Sequence, residues 1–184
     1  MAADPTRRQK SILFLDLATT MGFCEGVIGE TPIYGSTRLA PPGSSSDAVF
    51  AGAIRWLGTR LQGFKPQVFA YEAPRDPRHM GNKTNISTAL VLLGLCGAVE
   101  GVANLSGVYD IRKADVNGIR KFFLPQGSPR TGSAVKHAVE RQCRVMGYAP
   151  TDDNAADAIA GWHFMCALIA PDIKPASATP LFGD

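Results

Sequence analysis

Apolar stretches alternate with Gly-, Pro- and Ser-containing breaks along the chain, and their spacing predicts the elements. Residues 11–17 form a continuous apolar run with one charge near its end, the pattern of a central strand buried on both faces. Residues 22–29 and 33–39 are shorter, Gly-punctuated strands joined by the turn Gly29-Glu30-Thr31-Pro32, which makes an antiparallel meander. After the loop at 41–46, Ser46 or Asp47 can cap a helix carrying Val49, Phe50, Ile54, Leu57 and Leu61 at helical spacing, and Gly63 and Pro66 end it. Residues 67–73 are the next buried strand, stopped by Pro74. A polar, basic loop covers 74–85. Residues 86–103 form a long helix whose only charge is Glu100, so it is expected to be buried all round, partly by a second subunit. A short strand at 107–111 and helices at 113–123 and 131–147 follow. The last helix starts near Asp152–Asn154 and ends at Ala170. The order is βββαβαβα and then further helices, a mixed α/β sandwich in which an antiparallel meander is followed by parallel crossovers.

Length and composition set the frame for this pattern. With 184 residues, 45% hydrophobic and 19% charged, the chain suits one domain with a sizeable core. That domain is read as 11–170, with residues 1–10 as a flexible arm and the Pro-containing 171–184 as a flexible tail. A net charge of +3 permits a polyanionic partner without demanding one. Cys24, Cys96, Cys143 and Cys166 are widely spaced, as expected of reduced thiols rather than a disulfide framework or zinc site. No signal-peptide h-region is visible, and the apolar helix from Ala155 is short for a membrane span. A soluble, cytoplasmic protein is expected.

The chemistry lies in three carboxylates set in apolar segments: Asp16 in Ile12–Ala18, Glu72 in Val68–Ala73, and Asp157 in Ala155–Ala160. A lone charge in such a segment must be paired or must hold a metal. Singly, each has a bland explanation. Asp16 can accept from amides of the Thr19–Gly22 turn, and Glu72 can pair with Arg75 or Arg78. Asp157 is the hardest to explain this way, because its helix stays apolar for three further turns. Convergence on hard divalent cations accounts for all three at once, since Mg²⁺ takes oxygen ligands. Two such ions stabilise both the attacking and leaving oxygens of a phosphodiester displacement. Asp16, on a rigid strand, is the natural bridging ligand, with Glu72 and Asp157 flanking. Asp153 and Asn154 lie four and three residues before Asp157, so either can supply a fourth ligand; Asp152 and Asp153 suit the role of helix cap as well as that of ligand. Arg75, Arg78 and Lys83 follow Glu72. Arg112, Lys113, Arg120 and Lys121, and Arg130 with Lys136, form further basic groups suited to phosphate contact.

The segments Ile12–Gly22 (ILFLDLATTMG), Val68–Pro74 (VFAYEAP), Ile111–Asn117 (IRKADVN), Ser133–Val139 (SAVKHAV) and Asp152–Ala160 (DDNAADAIA) together resemble the RuvC-type Holliday-junction resolvases of the RNase H-like (retroviral-integrase) superfamily. The likeness is strongest to the RuvC-like nucleases of phages and prophages. The resemblance implies an RNase H-like α/β fold with a mixed five-stranded sheet flanked by helices. It implies a homodimer, joined near the helix at 86–103, that nicks four-way DNA junctions in recombination and repair with two Mg²⁺ or Mn²⁺ ions. It makes Asp16, Glu72 and Asp157 catalytic metal ligands, with a fourth that relatives carry three residues before the last and that falls here on Asn154 or the adjacent Asp153, and it sets Arg130 in place of a basic residue that relatives carry just before Ser133. Three other readings remain: an RNase H-like nuclease acting on other branched or hybrid nucleic acids, a non-catalytic DNA-binding member of the fold, and an ATP-using protein of the actin and sugar-kinase class. The last needs two such domains, and the chain is too short for them.

Overall fold

The computed structural model describes residues 10–74, 86–129 and 133–173. The sequence-predicted arm (except Lys10), the basic loop from Arg75 and the tail beyond Ile173 lie outside the described residues.

A five-stranded sheet in the order β3-β2-β1-β4-β5 organises the domain. Strand β1 (Ser11–Asp16) is central, antiparallel to β2 (Thr20–Val27) and parallel to β4 (Val68–Glu72). Strands β3 (Ile33–Arg38) and β5 (Ile111–Ala114) are the edges. The continuous apolar run of β1 is explained by its two covered faces. Ile12 and Phe14 enter one core and Leu13 and Leu15 the other, because successive strand side chains point to opposite faces. Helices α1 (Ser46–Gly63) and α2 (Ile86–Leu105) cover the second face. Helices α3 (Val116–Phe123), α4 (Ser133–Val145) and α5 (Asp153–Ile169) cover the first. This is the predicted mixed sheet flanked by helices.

Boundaries differ in instructive ways. Residues 20–22 belong to β2, since Gly22 pairs with Asp16 and Thr20 with Arg38. The strand expected at 107–111 is instead 111–114. Gly107, at φ +81°, closes the turn after α2, and Val108 drops into the core before pairing begins. The first helix is entered from Ser45, which makes no side-chain cap bond, rather than capped by Ser46 or Asp47.

Helix α5 lies directly on β1 and β2 because two glycines allow it. A Cβ on Gly22 would lie 2.0 Å from the carbonyl oxygen of Asn154, and one on Gly161 would lie 2.1 Å from the Phe14 ring. The first turn of α5 is thereby held against the sheet beside the end of β1.

Candidate active site

The parallel register Leu15↔Tyr71 places Asp16 and Glu72 one step further on, side by side at the carboxyl ends of β1 and β4. Both continue the face that carries Phe14 and Ala70, the face covered by α5. Ligands of open α/β sheets bind at this end of the strands. Asp157 arrives on the second turn of α5, set there by the Gly22–Asn154 contact.

The electrostatics link these groups to one another. Burial pushes the Asp16 carboxyl well above its ordinary range, and the charges of Glu72 and Asp157, with Asp153 further off, push the same way. Burial likewise raises Asp157 to about 6, against the opposing pull of Arg120 and Lys136. Neither raised carboxyl is explained by an Asx turn or a local ion pair.

The three residues at the start of α5 divide their work. Asp152 is the helix cap, accepting from the Ala155 amide at 2.8 Å, and it also accepts from the Ser36 hydroxyl, which ties β3 to α5. Asp153 pairs with the Lys136 ammonium, which holds its carboxyl below the ordinary range. Asp153 is also the acidic neighbour that weighs on both Asp16 and Asp157. Asn154 meets Gly22 through its backbone.

Lys136 thus joins the carboxylates, as a cation at the exposed rim of the cluster. Burial opposes its charge, yet its pairing with Asp153 and the nearby Asp157 and Asp16 raise its pKa overall. Arg120 of α3 is a second cation at Asp157, named in no motif but brought there by the packing of α3 on α5. The other basic candidates are placed elsewhere or not described. Lys113 turns to the opposite face, where it pairs with Glu100 at 2.9 Å and lies over the Tyr71 ring. Arg112 is engaged twice by Asp110, at 2.8 and 2.9 Å. Arg75, Arg78, Lys83 and Arg130 lie outside the described residues.

The donor set fits a hard divalent cation. Carboxylate oxygens are the ligands such ions take, and mutual repulsion around a buried carboxyl is what a cation relieves. Among the described residues, no three Asp, Glu, His or Cys side chains are drawn into a ready-made coordination shell. Sequence reasoning overlooked one carboxylate on a strand, Glu25, which is buried but fully paired: Arg60 engages it at 2.6 and 2.8 Å. Glu25 shows what a structural buried carboxylate looks like in this fold.

No family model and no curated protein matches the chain. Solved structures do. The chain is similar to RuvC of Thermus thermophilus in complex with a Holliday junction substrate, at TM-score 0.62 and 18% identity, covering 90% of this chain and 99% of that one. Thermus thermophilus RuvC in a second structure gives TM-score 0.56 at 19% identity, over 90% and 99% of the two chains. The yeast mitochondrial Holliday junction resolvase Ydc2 gives TM-score 0.56 at 13% identity, over 88% and 80%.

Proposed function

We propose, from the premise that the chain has the fold of the RuvC-type Holliday-junction resolvases, that it is a metal-dependent endonuclease that nicks branched DNA. The observation that carries this reading is Asp16. It is a buried carboxyl at the end of the central strand, with Glu72, Asp157 and Asp153 all acting on it, Lys136 acting against them, and no ion pair of its own among the described residues. Acidic groups gathered around a buried carboxyl favour the binding of a cation there. Asp16, Glu72, Asp157 and Asp153 would hold Mg²⁺ or Mn²⁺. When bound, two such ions supply an activated water and stabilise the charge that develops on the scissile phosphate.

The chain's own residues set the rest. Asp16 and Glu72 sit on paired strands, so their separation is fixed by the sheet. Lys136 and Arg120 offer positive charge at the rim, where a DNA phosphate is oriented.

The reading includes a homodimer formed through α2. Ile86, Leu90 and Leu93 are 77%, 62% and 46% exposed, and Gly97 and Gly101 continue the same stripe with open space above them. Among the described residues, this 20-residue helix is also the one long and apolar enough to cross a membrane. Its inner side, however, packs Leu95, Val99 and Ala103 into the core. An apolar stripe with glycines on the outer side of a packed helix suits close approach of a second helix.

The test is cleavage of a synthetic four-way junction beside duplex, flap and RNA–DNA hybrid controls, with Mg²⁺ and with EDTA. Asp16→Asn is expected to abolish cleavage and to leave junction binding intact. Cleavage by the variant at the wild-type rate would refute the carboxylate site, and preference for a hybrid would move the substrate assignment.

A further inference from the structure

A second cationic feature lies on the other side of the sheet end. Between the edge strand β3 and helix α1 runs a cleft of about 740 Å³, outside the carboxylate cluster. Its floor is the bidentate Arg60–Glu25 pair, and the Arg60 guanidinium lies 4.9 Å from the Phe23 ring centroid and 5.8 Å from that of Trp56. This pair is neutral as a unit. The net charge of the cleft comes from Arg38 and Arg55, both exposed and without an ion pair among the described residues. Trp56 and Phe64 add partly exposed aromatic surface. Free arginines beside an aromatic wall, in a groove of this size, suit a phosphate-bearing ligand with a flat ring.

The cleft lies at the same end of the sheet as the carboxylates, on the α1 face rather than the α5 face. Asp16 faces Gly22, Gly22 faces Ser36, and Arg38 is two residues further along β3. With about 4.8 Å per strand step and about 3.4 Å per residue, the Arg38 backbone lies roughly 12 Å from that of Asp16. That is a span of a few nucleotides along a DNA strand.

We propose that the α1–β3 cleft is a second DNA contact, in which Arg38 and Arg55 hold the phosphates of a strand flanking the carboxylate site and the Trp56 ring lies against it. The proposal rests on the nuclease reading and extends it to a part of the surface that the carboxylates do not involve.

The experiment measures binding of a fluorescein-labelled four-way junction in EDTA, across a salt series, for the full chain and its variants. Arg38→Ala/Arg55→Ala is expected to lower the slope of log affinity against log salt by about two, and to weaken binding on the order of tenfold per charge near 0.1 M salt. Arg38→Lys/Arg55→Lys should restore most of the slope, because the charge count is restored. An independent reading needs no arginine variant. The chain has two tryptophans, and Trp162 is fully buried, so a junction seated in the cleft should quench emission that Trp56→Phe removes. An unchanged slope in the alanine pair, or no quenching when wild type binds the junction, overturns the cleft and leaves the nuclease reading standing. Quenching by deoxythymidine monophosphate as strong as that by a dT oligonucleotide would make this a mononucleotide pocket and overturn the strand contact. Wild type that binds no DNA of any form overturns the nuclease reading, and the cleft falls with it.

Discussion

Replacing Asp157 by Asn should make the metal-free protein more stable while removing its function. The carboxyl is raised from 3.8 to about 6, chiefly because burial disfavours its charge. In the folded state the proton is therefore held more tightly than in the unfolded chain between about pH 4 and 6, so stability falls as pH rises through that window and levels off above it. The gap corresponds to about 3 kcal/mol, at about 1.4 kcal/mol per pH unit. Asn keeps the volume and never ionises, so the variant lacks this loss. Urea unfolding in EDTA should show wild type and variant nearly equal at pH 4. At pH 8 the variant should be more stable by up to about 3 kcal/mol, or roughly 6–12 °C in Tm for a domain of this size. Adding Mg²⁺ at pH 8 should stabilise wild type much more than the variant. A variant no more stable than wild type at pH 8 in EDTA would refute the claim that the carboxylate is held there against an unfavourable environment.

Three further outcomes follow from the geometry. Lys136→Met frees Asp153 and removes a competing cation, so Ca²⁺ affinity by calorimetry should rise up to about fivefold, a small effect because the pair is largely solvated; the same variant should cut a junction more slowly. Gly22→Ala drives a methyl into the Asn154 carbonyl and should cost on the order of 1–3 kcal/mol in urea unfolding, with loss of cleavage from a displaced α5. Leu90→Glu combined with Leu93→Glu should give a monomeric mass by light scattering at micromolar concentration where wild type gives a dimer; a monomeric wild type would dispose of the α2 interface.

Much of the fold was legible because the core is written in periodicity. The run Ile12–Leu15 announced a strand covered on both sides, and the Gly/Pro breaks separated the elements. β5 was misplaced because Ile111–Ala114 is a short edge strand with Arg112 and Lys113 in it, while the more apolar Val108 only anchors the turn before it. Asp16, Glu72 and Asp157 stood out because each is a charge set in an otherwise apolar segment. Glu25 escaped notice in a Gly-rich strand, and its partner Arg60 lies 35 residues away on α1. Lys136 and Arg120 looked like members of surface basic groups. Their approach to the carboxylates is set by how α3 and α4 pack on α5, which no local pattern encodes. Gly22 carried a signal that the sequence alone does not distinguish from an ordinary turn glycine.

The Tyr71 hydroxyl donates to Glu100, and Lys113 of β5 reaches the same carboxylate. Tyr71 is the residue before Glu72, and Glu100 belongs to α2. The helix with the bare apolar outer stripe is thus fastened on its inner side to the strand that presents a site carboxylate. In a two-fold dimer built on α2, the paired helices would form a common spine with each subunit's β4 pinned to it. The spacing and relative orientation of the two carboxylate clusters would then be a property of that spine, and the assembly would act as a ruler for the separation of its two cuts.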